Sequence, residues 1–172
     1  MSYEFTNDYQ KKKSVQLSFE NAFNMNDVDA VEALLAEGNE FVPDINAQMI
    51  SNYPVLMALK DNNLPMLNVL FQAGADLDVA NERGWHFSHE LATKSAKLVK
   101  KILPHVSMAV NLPDGTTPLM VAIEKENWEV VETLLDSDNS LRVYSVNDEG
   151  NTAAHMLAKA KQIQLLEKMI VS

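Results

Sequence analysis

At 172 residues, with 47% hydrophobic and 22% charged side chains, the chain is ordinary for a soluble globular protein and long enough to bury a core as one domain. It has no cysteine, which excludes disulfides, thiolate metal sites and a thiol nucleophile. Its formal charge of −10 disfavours non-specific association with nucleic acid or an anionic membrane and favours a basic partner.

The first residues, Met1-Ser2-Tyr3-Glu4-Phe5, lack the basic stretch and apolar run of a signal peptide. No apolar run approaches the ~18 residues of a membrane span, so a cytoplasmic protein is expected. Residues 1–13, ending in Lys11-Lys12-Lys13, read as a short N-terminal segment ahead of a single domain at 14–172. From Ser14 to Leu59 there are seven acids and no lysine or arginine. A basic patch follows at Lys94, Lys97, Lys100 and Lys101, and then seven acids stand against Lys125 and Arg142 between Leu112 and Ser145. Such runs are ordinarily solvated helix faces.

Five segments then follow one pattern, each a pair of short helices. Ala22-Phe23 leads to the apolar stripe of Val28–Ala36, with Gly38 placed to cap it. The loop Asn39–Gln48 is longer than the others and contains Pro43. Tyr53–Leu59 leads to Met66–Ala73 with Gly74 after it, a position suited to a left-handed C-terminal cap. Gly84–Ala92 leads to Leu98–Leu103, one residue short between its helices. Asp114–Ile123 leads to Trp128–Leu135, where Thr117-Pro118 supplies a capping hydroxyl and a proline at the first helical position. Asp138-Asn139 stands where a capping glycine would follow. Gly150–Ala158 leads to Ile163–Ile170. Ala22, Ala58, Ala92, Ala122 and Ala158 recur at spacings near 33, so the repeats run approximately 14–46, 47–79, 80–110, 111–145 and 146–172.

The fourth segment, Asp114-Gly115-Thr116-Thr117-Pro118-Leu119 through Glu129-Val130-Val131-Glu132-Thr133-Leu134-Leu135, resembles the ankyrin repeat. The resemblance covers nearly the whole chain after residue 14 and is of the small bacterial type. It implies an all-α solenoid of stacked helix-turn-helix units with short β-turn fingers. The third repeat departs from it, with His86-Phe87-Ser88 in place of Thr-Pro-Leu, and the fifth has Ala153 in place of the proline. At His89 and His155 the resemblance implies structural imidazoles bonded to the backbone of an adjacent turn, although His86 and His89 share an H-x-x-H spacing. His105, after Pro104, joins no constellation.

The resemblance also implies a partner-binding surface of finger tips and first-helix ends. Carried over residue by residue, it comprises Met49, Ile50 and Asn52 with Lys60 and Asp61, then Glu82, Arg83 and Trp85 with Thr93 and Lys94. It continues with Pro113, Asp114 and Thr116, with Glu124 and Lys125, and ends at Asp148, Glu149 and Asn151. Met49 and Ile50 beside Trp85 would form an apolar centre rimmed by acids; the acidic convex side is the competing surface. Trp85 is either an exposed anchor or packed on a neighbouring finger, whereas Trp128 reads as core.

No phosphate loop, nucleophile motif or convergent pair of carboxylates emerges; Glu124/Glu126 and Asp148/Glu149 have no shared pocket to raise a pKa. The expected function is therefore non-catalytic protein binding without a cofactor, by a chain monomeric when free. The leading form is an immunity or inhibitor protein that neutralises a basic toxin. An adaptor or host-directed effector is the alternative, and an enzyme a weaker one.

Overall fold

A computed structural model describes residues 2–36, 39–49, 52–137, 141 and 143–171. Two compact units divide the chain, Met1–Asp76 and Leu77–Ser172. All regular structure among the described residues is helical, apart from one isolated antiparallel bridge between Ala80 and His86.

In the first unit, α1 (Ser2–Asn24) packs on α2 (Val28–Leu35), and α3 (Pro54–Lys60) on α4 (Leu64–Gln72), with α2 against α4. The expected boundary between residues 13 and 14 falls inside α1, which runs through it without a break. Asp27 Oδ1 accepts from the Ala30 N–H and Asn63 Oδ1 from that of Met66, capping α2 and α4. Phe19, Val31, Leu59, Met66 and Leu70 are wholly enclosed. The long loop is tied to α1 by Gln16, whose Oε1 accepts from the Asp44 N–H at 2.8 Å.

In the second unit the first helices, α5 (Phe87–Leu91), α7 (Pro118–Glu124) and α9 (Ala153–Lys159), pack in sequence. The second helices, α6 (Ala96–Ile102), α8 (Trp128–Leu135) and α10 (Ile163–Val171), do the same. A 3₁₀ turn at Leu103–His105 extends α6. As the sequence implied, Thr117 Oγ1 accepts from the Met120 N–H and Pro118 opens α7. Lys168 on α10 reaches Asp136 at 2.6 Å and Glu132 at 3.3 Å, fastening the last helix to α8 and the turn after it. Repeated pairs of helices that bury their apolar stripes only against neighbours are the pattern of a repeat protein.

Four of the turns between paired helices share one construction. Asn26, Asn62, Glu126 and Lys161 all adopt left-handed backbone, with φ of 58°, 54°, 53° and 58°. Each is the residue after the C-cap, and the next two amides fold back onto the helix; after α3, for instance, Asn62 N–H donates to Leu59 and Asn63 N–H to Ala58. Gly74 ends α4 in the same way at φ 79°, as expected from the sequence. Gly38 and the Asp138-Asn139 pair lie outside the described residues.

The third repeat lacks this turn. From N-cap to N-cap there are ten positions between Tyr53 and Asn63 and between Thr117 and Asn127, but nine between His86 and Ser95. The missing residue is the left-handed one. Its work on the exposed carbonyls is done from the next repeat, where Asn127 Nδ2 donates to Lys94 O at 2.8 Å and reaches Ala92 O at 3.5 Å.

Candidate functional site

In the first unit the structure changes the expected surface. Met49, read as an exposed finger residue, is only 6% accessible. The long loop turns its apolar side chains inward, so that Pro43 and Ile45 are buried with Met49 while Val42 faces water. The Met49 N–H donates to Asn52 O, and Asn52 Oδ1 accepts from the Tyr53 N–H, leaving Asn52 half-buried. Ile50 lies outside the described residues. The expected apolar centre therefore loses Met49, because the loop uses it as core. Lys60 and Asp61, at the end of α3, are exposed as expected.

In the second unit three turns present the finger positions. At each, a side-chain oxygen of the turn caps the following amides. Asn81 Oδ1 accepts from Arg83 and Trp85, Asp114 Oδ1 from Thr116, and Asn147 Oδ1 from Glu149 and Asn151. These bonds hold the tips so that Glu82, Arg83, Pro113, Asp114, Asp148 and Glu149 point into solvent. Asn151 is half-buried and donates from Nδ2 to Glu149 Oε2. Thr116 is half-buried, and Glu124 and Lys125 are exposed at the end of α7. Successive turns are linked where the Asp148 N–H donates to Asp114 O at 2.8 Å.

Trp85 is half-buried and held within its own repeat. Its Nε1–H donates to Glu90 Oε2 at 3.1 Å, and its ring lies against His89 with centroids 5.4 Å apart. The other Glu90 oxygen pairs with Lys94 Nζ at 2.7 Å, with the Lys94 and Glu90 side chains only 9% and 15% accessible. Lys94, expected as a contact residue, is thus committed inside its own repeat. Glu90 joins both residues and was not singled out in the sequence. Its only sequence signal is the spacing of four to Lys94, a helical ion-pair spacing. Trp128, read as core, is half-buried.

His89 fulfils the structural role expected of it. Its Nδ1 accepts from the His86 N–H at 3.3 Å, which leaves Nε2–H to donate to Thr116 O in the next repeat at 3.2 Å. That is the neutral tautomer. Burial pushes its pKa down to about 4, against the upward pull of the Thr116 carbonyl, with His86 adding to the depression and Asp114 opposing it. His155 repeats the local half, its Nδ1 accepting from the Thr152 N–H, but its ring stays exposed.

The depressed His89 pKa has a measurable consequence. Above pH 6.5 the imidazole is neutral in both folded and unfolded chains, and its full contribution to stability is present. As pH falls from 6.5 towards 4 the unfolded chain binds a proton that the folded one refuses, so stability is lost across that window. The loss is roughly 3 kcal/mol, because each tenfold weakening of proton binding is worth about 1.4 kcal/mol. Urea unfolding at pH 7 and pH 4.5 is expected to show this loss in the wild type and a smaller one in His89→Gln. Equal losses in the two proteins would refute it.

No group of three or more histidine and carboxylate side chains able to hold a metal occurs among the described residues. No described helix is long and apolar enough to cross a membrane. The family model for ankyrin repeats, in three copies, matches residues 88–171. No curated protein matches the chain.

Proposed function

As this chain belongs to the ankyrin-repeat family, on the match across residues 88–171, we propose that it binds a basic protein and neutralises it, as an immunity protein neutralises a toxin. Ankyrin repeats are protein-binding modules, and the proposal concerns the kind of partner and the outcome of binding. The observation that carries it is the placing of charge. Glu82, Asp114, Asp148 and Glu149 stand exposed on the finger turns, and Glu124 on the end of α7. In Met1–Asp76 there are eleven acids against four bases. Such a field steers a cationic partner and raises its rate of encounter.

The contact residues in this reading are the exposed ones: Lys60, Asp61, Glu82, Arg83, Asp114, Glu124, Lys125, Asp148 and Glu149. Trp85 and Asn151 serve as supports rather than anchors. Affinity purification of the full chain from its native cells, at low salt, is expected to retain a protein of net positive charge. Raising the salt should release it, because exposed charge pairs are screened over about 10 Å at 0.1 M. Co-expression should then suppress that protein's activity or toxicity. Recovery of acidic partners alone, or a partner whose activity is untouched, would overturn the reading.

A further inference from the structure

The turn after α1 and the turn after α3 border an open groove of about 530 Å³ within the first unit. Phe23 and Met57 give it apolar wall, and Asn24, Asn26, Asn62 and Asp61 give it polar atoms. Each asparagine carries an amide oxygen that accepts and an NH₂ that donates, while the aspartate only accepts. The left-handed backbone at Asn26 and Asn62 is fixed by the turn bonds already described. Asn63 is consumed in holding the two turns together, since its Nδ2 donates to Asn26 Oδ1 while its Oδ1 caps α4. The side chains of Asn24, Asn62 and Asp61, by contrast, make no bond or ion pair to other described residues.

The one formal charge lining this groove is negative, at Asp61; the N-terminus of α4, at Asn63 and Pro65, adds a partial positive charge, set against the C-terminal ends of α1 and α3. No lysine or arginine occurs from Ser14 to Leu59, and Lys60 is not one of the lining residues. The C-terminal end of the 23-residue α1 opens beside Asn24, and the end of a helix carries partial negative charge. A carboxylate, amide oxygens and a helix C-terminus around an apolar wall suit a planar cation with several donors and a methylene stem. Arginine fits that description better than lysine, whose ammonium is a compact, strongly hydrated point charge.

We infer that this groove seats an arginine side chain of the bound protein, its guanidinium on Asp61 and the amide oxygens and its methylenes against Phe23 and Met57. The inference rests on the protein-binding reading and identifies one contact within it.

The test uses the ¹⁵N-labelled full chain and two peptides, acetyl-Gly-Arg-Gly-Arg-Gly amide and the same sequence with citrulline, which keeps the shape of arginine without its charge. Titration with the arginine peptide should shift the resonances of Asn24, Asn26, Asp61 and Asn62, and the citrulline peptide should shift them far less. Asp61→Asn should weaken the arginine peptide by roughly tenfold, the scale of one charge-assisted contact. Asn62→Gly, which keeps the left-handed backbone, should weaken it in the same direction. Glu167→Gln, at an exposed position of α10 outside both the groove and the contact residues, should leave its affinity unchanged. Equal binding of the two peptides, or equal effects of Asp61→Asn and Glu167→Gln, would overturn the assignment. Because the peptides read the groove alone, that result would leave protein binding standing; failure to recover any partner by purification would count against the broader reading instead.

Discussion

Phe87→Pro, which restores the residue that the ankyrin pattern has at this position, is expected to destabilise the protein by about 3–5 kcal/mol, the range for deleting a buried aromatic side chain. Backbone strain is not the cause. Phe87 opens α5, where proline is well tolerated, and His86 before it is already extended with ψ 160°. The cost comes from the interior. The Phe87 ring is wholly buried, and its N–H donates to Val79 O at 3.1 Å. Proline removes the ring and the donor together. Urea unfolding checks this, with Phe87→Leu as the milder control because it keeps most of the apolar volume. A Phe87→Pro protein as stable as the wild type would show that the ring is not what fills the third repeat.

Gly115→Ala is expected to cost about 3 kcal/mol or more, from two separable sources. The first is conformational: Gly115 has φ 82°, where an L side chain is strained by roughly 1–2 kcal/mol. The second is contact. A Cβ at Gly115 would lie 2.3 Å from Val146 O and 3.1 Å from Asn147 Cα, backbone atoms of the next finger turn that cannot swing aside. Gly150 supplies the comparison, since it has φ 78° and nothing within 4 Å of such a Cβ. Gly150→Ala should therefore lose only the conformational part. Unfolding free energies that are equal for the two variants would remove the close approach as a cause.

Much of this architecture is legible in the residues. Thr117-Pro118 announces the start of α7, Gly74 the end of α4, and the short spacing in the third repeat the absence of its left-handed turn. These signals are local: a hydroxyl, a ring or one missing residue acts on backbone within a few positions. His89 was legible through the family pattern, because its partner, the Thr116 carbonyl, recurs one repeat later.

The failures are tertiary. Whether Met49 faces water depends on which way a ten-residue loop turns, and no local rule sets that when Val42, Ile45 and Met49 are all apolar. The capture of Trp85 is a three-residue arrangement, with Glu90 serving Trp85 and Lys94 at once, and only the Glu90–Lys94 pair has a helical spacing that sequence could show. The polar stretch from Ser2 to Lys13 has no apolar period to mark it as helix; among the described side chains of that helix the buried ones are Phe19, Ala22 and Phe23. The acidic excess was readable as a total, and its seats at Asp61 and on the finger tips through the ankyrin pattern; the structure adds that these side chains are exposed.

Repeat proteins are often treated as interchangeable bricks, each exchangeable for a standard copy. The side-chain amide of Asn127 makes an exception of the third and fourth repeats here. Ala92 and Lys94 accept from a donor encoded some thirty residues downstream, so a standard unit placed after the third repeat would lose these bonds unless it carried an asparagine in register. For grafting or shuffling, residues 86–135 are one indivisible cassette rather than two modules, and a shortening in one unit has become a constraint on its neighbour.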